Sequence, residues 1–441
     1  MKRLLSLLLC AVLALFCATT AQAAGVSITL TASEYALHYA FDAGAQDPFV
    51  ILEYATPAEK GWMMLYSEDG HFEGDVSLAY SGAGGKTSVA LTSARTTGSI
   101  GKASTTLPKA ADYQKPTGKS NAKVMDFVLT ETPEGFHYAF NAAGTDYMLL
   151  YWRSKEQTVT QPVYPDENGH YEGDVISDLT FARTQFTVQV KSGSGSMKKE
   201  ATVRKGYQAP EAPQRQEGRL SGVTVCIDAG HQENGRFVNE PIGPGLSGST
   251  SGKGGMAQGT KTNRRESIVC LEIGMLLRDE LLRQGANVVM TREDQTTFHT
   301  NIERCEIAEA GGAQIMLRLH CNNSSNRSKR GIQVYGPLNS DYAKAVADAD
   351  TYREMGQKLL DAMKTRVGMT LANSTGMVRL NDNYVGNNWA KMMCFLVEMG
   401  YLSNPAEEYL LVTPVYQQWL AESMADGVYE IAVARGWVQA Q

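Results

Sequence analysis

After Cys17 the 441-residue chain has no cysteine until Cys226, and the five that follow (Cys226, Cys270, Cys305, Cys321 and Cys394) include no Cys-x-x-Cys pair. That usage supports neither a disulfide scaffold nor a zinc ribbon, and the five read as buried thiols. Basic runs are equally scarce. None is longer than Lys198-Lys199 or Arg264-Arg265, and the formal net charge is −6. A nucleic-acid partner needs clustered Lys and Arg, so no nucleic acid is expected. Long apolar runs are also missing. Beyond the opening residues nothing approaches the roughly 20 apolar residues of a membrane helix, so no transmembrane segment is expected.

What is present begins with a targeting signal. Met1-Lys2-Arg3 is a basic n-region, Leu4 to Phe16 an apolar h-region and Ala21-Gln22-Ala23 a small-residue cleavage site. These are the parts of a secretory signal peptide over residues 1–23. Cys10 and Cys17 follow Leu9 and Phe16, where a lipid-attachment box wants a small residue. A soluble, secreted product is therefore expected, and loss of Lys2 and Arg3 moves its formal charge from −6 to −8. The length makes about three domains the prior.

An internal repeat organises the first half. Leu37-His38-Tyr39-Ala40-Phe41-Asp42-Ala43 returns as Phe136-His137-Tyr138-Ala139-Phe140-Asn141-Ala142, and Gly70-His71-Phe72-Glu73-Gly74-Asp75-Val76 as Gly169-His170-Tyr171-Glu172-Gly173-Asp174-Val175, both at an offset of 99 positions. Short apolar/polar alternations between Gly, Asp and Asn predict two repeated β-sandwich-like modules, residues 24–107 and 124–206. Thr106 to Lys119 and residues 207–221, each with two prolines, read as polar linkers. From Val223 the texture changes to strand-like runs alternating with helical patterns, such as Glu266 to Gln284 followed by Asn287-Val288-Val289-Met290. Thr413 and Pro414 read as the N-cap and first turn of another helix. Residues 222–437 are therefore expected to form an α/β domain, a mainly parallel sheet covered by helices.

Chemistry concentrates at the ends of its strand-like runs. Val223 to Ile227 leads through Asp228-Ala229-Gly230 into His231, Ile315 to Leu319 into His320, and Cys394 to Val397 into Glu398, while Glu266 opens a helix. Groups at the carboxyl ends of strands in an open α/β sheet converge on one crevice. His231, Glu266 and His320 then form a two-His, one-Glu donor set of the kind catalytic zinc uses, with a fourth position left for water. Glu398 remains as the separate general base. Singly, each His is an ordinary residue and Glu266 is favoured at a helix start by the macrodipole. Glu398 after four apolar residues is harder to dismiss, because a buried carboxylate is costly unless paired or functional. Cys321 should face away from a metal that His320 faces, since successive strand side chains alternate. His299 is a candidate substrate contact. His38, His71, His137 and His170 occupy matched repeat positions and read as part of the modules' own architecture.

The order Asp228-Ala229-Gly230-His231, Glu266, Val289-Met290-Thr291-Arg292, Arg318-Leu319-His320-Cys321-Asn322 and Val397-Glu398-Met399-Gly400-Tyr401-Leu402-Ser403-Asn404 resembles the zinc-dependent N-acetylmuramoyl-L-alanine amidases of bacterial cell-wall turnover. The resemblance implies that His231, Glu266 and His320 bind Zn²⁺ and that Glu398 is the catalytic base. It further implies that the substrate is peptidoglycan, cut between the lactyl group of muramic acid and L-Ala. Arg292, Arg304 and Asn322 are candidates for positioning roles. Two departures stand out: Gln232 follows His231 where the family commonly has Gly, and residues 232–263 form a long Gly-rich segment that reads equally as a cleft wall or as a disordered insertion. Glu240 lies in that interval as a competing carboxylate. A zinc peptidase acting within the stem peptide and a noncatalytic wall-binding protein are the rival readings, and the repeats are open to binding wall or a protein partner.

Overall fold

The structure, a computed structural model, describes residues 19–22, 26–44, 47–78, 80–94, 98–119, 123–132, 135–153, 157–176, 185–192, 197–204, 210–232, 238–250, 255–262, 264–367 and 378–440. The signal-peptide expectation lies outside them except for residues 19–22. The chain divides into two compact units, residues 1–179 with 184–205, and residues 180–183 with 206–441.

The first unit is built from antiparallel strands: β1 (Thr19–Gln22), β2 (Ser27–Ala32), β3 (Ala36–Asp42), β4 (Phe49–Ala55), β5 (Glu59–Tyr66), β6 (His71–Ser77), β7 (Gly85–Ser93) and β8 (Ser99–Leu107). Then follow β9 (Val124–Thr132), β10 (Gly135–Ala142), β11 (Met148–Arg153), β12 (Gln157–Val163), β13 (His170–Ile176), β14 (Gln185–Lys191) and β15 (Met197–Arg204). They form sheets of order β1-β2-β3-β6, β13-β10-β9 and β15-β14-β11-β12-β5-β4-β7-β8. The eight-stranded sheet runs through both sequence copies, because β12 pairs with β5. Period-two alternation gives each sheet a buried face, and two separate apolar cores result, one around Leu30, Phe41, Leu52 and Leu91 and one around Phe140, Trp152, Tyr171 and Val188. The matched motifs become β3 paired with β6 and β10 paired with β13. Gly74 and Gly173 recur there for a steric reason: a Cβ at either would come within 2.8 and 2.7 Å of the Tyr39 and Tyr138 hydroxyls.

The second unit alternates strands and helices: β16 (Thr224–Ala229), α1 (Glu266–Arg283), β17 (Asn287–Met290), α2 (Asn301–Ala310), β18 (Ile315–Asn322) and β19 (Gln333–Gly336). It continues with α3 (Asp341–Val346), α4 (Ala349–Val367), β20 (Arg379–Leu380), α5 (Val385–Trp389), β21 (Met393–Tyr401), α6 (Glu407–Leu411) and α7 (Pro414–Ala434). The sheet order is β17-β16-β18-β21-β19-β20, and it is mixed: β19 runs antiparallel to β21 while every other pairing is parallel. Central strands covered on both faces read as continuous apolar runs, and Ile227, Leu317, Leu319 and Phe395 are accordingly fully buried. Helix α1 packs on β16, β17 and β18, and α7 packs against α1 and α4.

Two local readings need amending. Thr413 does sit at the N-cap of α7 with Pro414 behind it, yet its side chain makes no capping bond; the hydroxyl donates instead to the Tyr409 carbonyl at 2.8 Å. The described part of the stretch read as a linker, residues 210–221, is tied to the C-terminal end of α1. Arg215 Nη1 donates to Gly285 O, Gln216 N to Leu282 O and Leu220 N to Gln284 O. Among the described residues no helix is long and apolar enough to cross a membrane.

Candidate metal centre and cleft

Sheet order does the first positioning. Strands β16, β18 and β21 are parallel neighbours, so their carboxyl ends lie side by side, and His320 stands in register with Glu398. His231 follows β16 after Gly230, and Glu266 is the first residue of α1. The structure thus brings His231, Glu266 and His320 into one group whose donor atoms lie within 4.8 Å of one another. Glu266 Oε1 is its hub, 3.1 Å from His231 Nε2 and 3.0 Å from His320 Nδ1. The same oxygen accepts from Cys321 N at 3.0 Å, while Oε2 accepts from Ala257 N at 2.7 Å. Burial alone would raise the Glu266 carboxyl, but hydrogen bonds and charge from both imidazoles outweigh it and hold the group below the usual carboxylate range.

Glu398 differs in kind. Its Oε2 is buried with no hydrogen-bond partner, as is His320 Nε2. Burial, and secondarily the Glu266 charge, push its carboxyl well above the ordinary value. Both groups line a cleft of about 520 Å³, with Gln232, Asn322, His299 and Tyr384 among its walls. An unpaired carboxylate oxygen next to a cluster of imidazoles can exchange a proton with something bound in the cleft.

Beneath the donors lies a buried ionic platform that the sequence did not reveal. Asp228 is fully buried and binds Arg304 through Oδ1 and Arg318 Nε through Oδ2 at 2.9 Å; Thr291 also donates to Oδ1, at 2.8 Å. Burial would raise the Asp228 carboxyl, but the two guanidiniums overcome it and hold it far below its usual range. Arg304 also donates to the carbonyls of Ala229 and His231, at 3.0 and 3.1 Å, and Arg292 to those of Ala229 and Gly230, at 2.7 and 2.8 Å. These two arginines therefore grip three successive carbonyls at the turn that carries His231. That turn is strained, since His231 has φ +58, a left-handed conformation that costs a non-glycine residue about 1–2 kcal/mol. Gly230 is required beside it: a Cβ there would lie 2.4 Å from Leu319 O and 2.6 Å from the His320 ring. A signal for the platform did exist in the sequence, because Asp228 and Arg318 are charged residues inside apolar strand runs, where an unpaired charge is not tolerated.

The remaining candidates divide. Glu240 does not join His231, Glu266 and His320. It caps α2, accepting from Asn301 Nδ2 at 2.7 Å and Ile302 N at 2.8 Å. Asn322 donates to Gln333 at 3.0 Å, and His299 lines the cleft while its carbonyl accepts from Arg304. Cys321 is buried on the opposite side of β18 from His320, against Cys270. The described parts of segment 232–263 form a fixed wall: Asn388 and Trp389 donate to Ile242 O and Pro241 O, and Glu408 accepts from Thr260, Lys261 and Thr262.

Comparison with known proteins places this unit. Residues 225–430 match the family described as N-acetylmuramoyl-L-alanine amidase. The germination-specific N-acetylmuramoyl-L-alanine amidase of Bacillus subtilis is 26% identical over 231 residues, covering 49% of this chain and 83% of that one. A probable cell wall amidase of Staphylococcus aureus is 27% identical over 218 residues, which span 48% of this chain and 60% of the relative's length. Among solved structures, the apo amidase Ami1 of Mycobacterium abscessus aligns with a TM-score of 0.44 and 21% identity, covering 48% of this chain and 99% of that one.

Proposed function

We propose that this chain, which through residues 225–430 belongs to the N-acetylmuramoyl-L-alanine amidase family, is a secreted zinc hydrolase that cleaves the amide between the lactyl group of muramic acid and L-Ala in peptidoglycan. The observation that carries this reading is the hub at Glu266 Oε1, with imidazole nitrogens 3.0 and 3.1 Å away. Tetrahedral zinc with bonds of about 2.0–2.1 Å sets its ligand atoms about 3.3 Å apart, so two imidazoles and one carboxylate fit that ion. The orphaned His320 Nε2 and Glu398 Oε2 also mark polar space beside it.

His231, Glu266 and His320 would hold the zinc, which when bound polarises a carbonyl and acidifies water. Glu398 takes a proton from the attacking water at its unpartnered oxygen and returns it to the leaving nitrogen of L-Ala. Cys321 N and Ala257 N fix the Glu266 carboxylate, and Arg292 and Arg304 hold the His231 turn, so neither donor must reorganise when substrate enters. The N-terminal modules are read as β-sandwiches that serve the enzyme at the wall, and residues 1–23 as its export signal. Mass spectrometry of muropeptides after digestion of purified wall tests the bond: stem peptides with a new L-Ala amino terminus and intact glycan are expected. New termini only at later stem positions would replace this reading with a peptidase, and no release with zinc bound would leave a noncatalytic wall binder.

A further inference from the structure

One side chain of the cleft wall has a hydrogen-bonding face that the fold does not use. Arg304 places all its N–H groups on neighbours: Nε donates to His299 O at 3.2 Å, Nη1 to Asp228 and to Ala229 O at 3.0 Å, and Nη2 to His231 O at 3.1 Å and to the side-chain oxygen of Gln232. Gln232 follows the left-handed His231 and lines the cleft, half-buried. A guanidinium offers donors and no acceptor, so the Gln232 amide must turn its oxygen toward Arg304. Its Nε2 then carries two N–H groups away from that contact, and among the described residues nothing accepts from it.

The charges of the cleft decide which acceptor those N–H groups suit. Asp228, Glu240, Glu266 and Glu398 are its acidic lining residues, and its two guanidiniums, Arg304 and Arg318, are both bound to Asp228. Among the described lining residues no Lys or Arg is therefore left to neutralise an incoming carboxylate. A neutral amide carbonyl meets no such repulsion, and a carboxamide N–H is a neutral donor matched to it. Position adds to the argument. Residue 232 directly follows His231, so an oxygen held by Nε2 belongs to a group close to the bond being cut. Because Oε1 is tied to Arg304, which Asp228 holds in turn, the donor is oriented before substrate arrives, and little rotamer freedom is lost on binding.

We propose, resting on the amidase reading, that Gln232 is a substrate-binding residue whose Nε2 donates to an amide carbonyl of the muropeptide beside the scissile bond, in the stem peptide or in the N-acetyl group of the sugar. Arg304, its donors all taken, acts as the group that orients it.

Calorimetric titration of intact muropeptides into the full chain carrying Glu398→Gln, with zinc content measured in parallel, reads binding without turnover. In that background Gln232→Glu keeps an oxygen on Arg304 but has no N–H for substrate, while Gln232→Met has neither and adds no charge. Both should weaken binding, Gln232→Glu about 10- to 100-fold and Gln232→Met about 3- to 10-fold, and only Gln232→Met should lower the melting temperature. Undiminished binding in either variant overturns the proposal: in Gln232→Glu it leaves the residue as a prop for Arg304, and in Gln232→Met it makes the added charge responsible for any loss in the other. A loss that persists with N-acetylmuramoyl-L-Ala and disappears when the acetyl group is removed assigns the sugar's carbonyl, whereas a loss confined to longer stems assigns a stem carbonyl. Absence of binding to the Glu398→Gln chain also overturns it. Wall digestion by the unsubstituted chain that releases no L-Ala amino termini would count against the amidase reading instead, since binding judges Gln232 without cleavage.

Discussion

Replacing Asp228 by Asn measures how much the buried platform under His231 and His320 contributes. The carboxylate is fully buried and is shared by Arg304, Arg318 and Thr291. Asn keeps one acceptor oxygen but no charge, which leaves two buried guanidiniums without their common counter-ion. Breaking a buried ion pair from one side costs about 3–5 kcal/mol, a large share of the about 5–15 kcal/mol that stabilises a typical domain. Thr291→Val removes only a hydroxyl donor from the same carboxylate and should cost about 1 kcal/mol. The pH dependence follows from the direction of the shift: the folded Asp228 carboxyl lies below its unfolded value. Its contribution is therefore fully present above about pH 4 and disappears as pH falls further. Wild type and Asp228→Asn should differ by a constant amount from pH 5 to 8 and converge in acid. Differential scanning calorimetry of the full chain, reading the transition of the second unit, is the assay. A double variant, Asp228→Asn/Arg318→Met, should recover part of the loss because one orphaned charge is gone. A difference under about 1 kcal/mol at pH 7, or equal losses for Thr291→Val and Asp228→Asn, would refute the argument, since the buried charge would then not be what the site depends on.

Other substitutions test single links. Glu398→Gln should retain bound zinc and lose about 10²- to 10⁴-fold in turnover; zinc analysis and a soluble muropeptide assay check both, and loss of the metal would make Glu398 a ligand. His231→Gly and His231→Ala both delete a donor, but the glycine variant should melt as the more stable by about 1 kcal/mol, because it accepts the positive φ. Glu407, buried between Gly331 N and Tyr401 N, has its carboxyl pushed up to about 7 by burial. Stability should fall by up to roughly 3 kcal/mol as pH rises from about 4.5 through 7, and Glu407→Gln should flatten that slope in urea titrations at pH 5 and 8. A fragment beginning at residue 206 should fold and cut soluble muropeptides, whereas one beginning at Arg219 should be less stable by roughly 1–3 kcal/mol, having lost the Arg215 and Gln216 bonds to the end of α1; equal melting of the two would show that this stretch is a tether.

The layout of the second unit was legible because its signals are local and repeat. Apolar runs closed by His231, His320 and Glu398 mark strand ends, and a helix opening at Glu266 needs only helical spacing to be seen. The antiparallel step between β19 and β21 was not legible, since a four-residue strand carries no mark of its direction and its pairing is chosen by whichever sheet edge is free. Nor was the docking of residues 210–221. Proline and polar residues describe a flexible linker as readily as a segment whose hydrogen bonds are made to a distant helix end.

At the strand ends, the residues that come together could be named from the sequence, but not the contacts that aim them. His231 is useful only if its backbone holds a left-handed turn, and nothing in its neighbours' identities pays that cost. The compensation comes from Arg292 and Arg304, which are 61 and 73 positions further along the chain and grip the Ala229, Gly230 and His231 carbonyls. Arg304 in turn is held by Asp228, three residues before the histidine it positions. Glu240 shows the converse. Its place in the Gly-rich interval made it a rival to Glu266, and only the tertiary structure shows that its charge meets the N-terminus of α2 instead, where a carboxylate is favoured by unpaired amides and the helix dipole alike. A carboxylate's role is set by the donors that reach it, and those donors arrive from elements that sequence proximity does not connect.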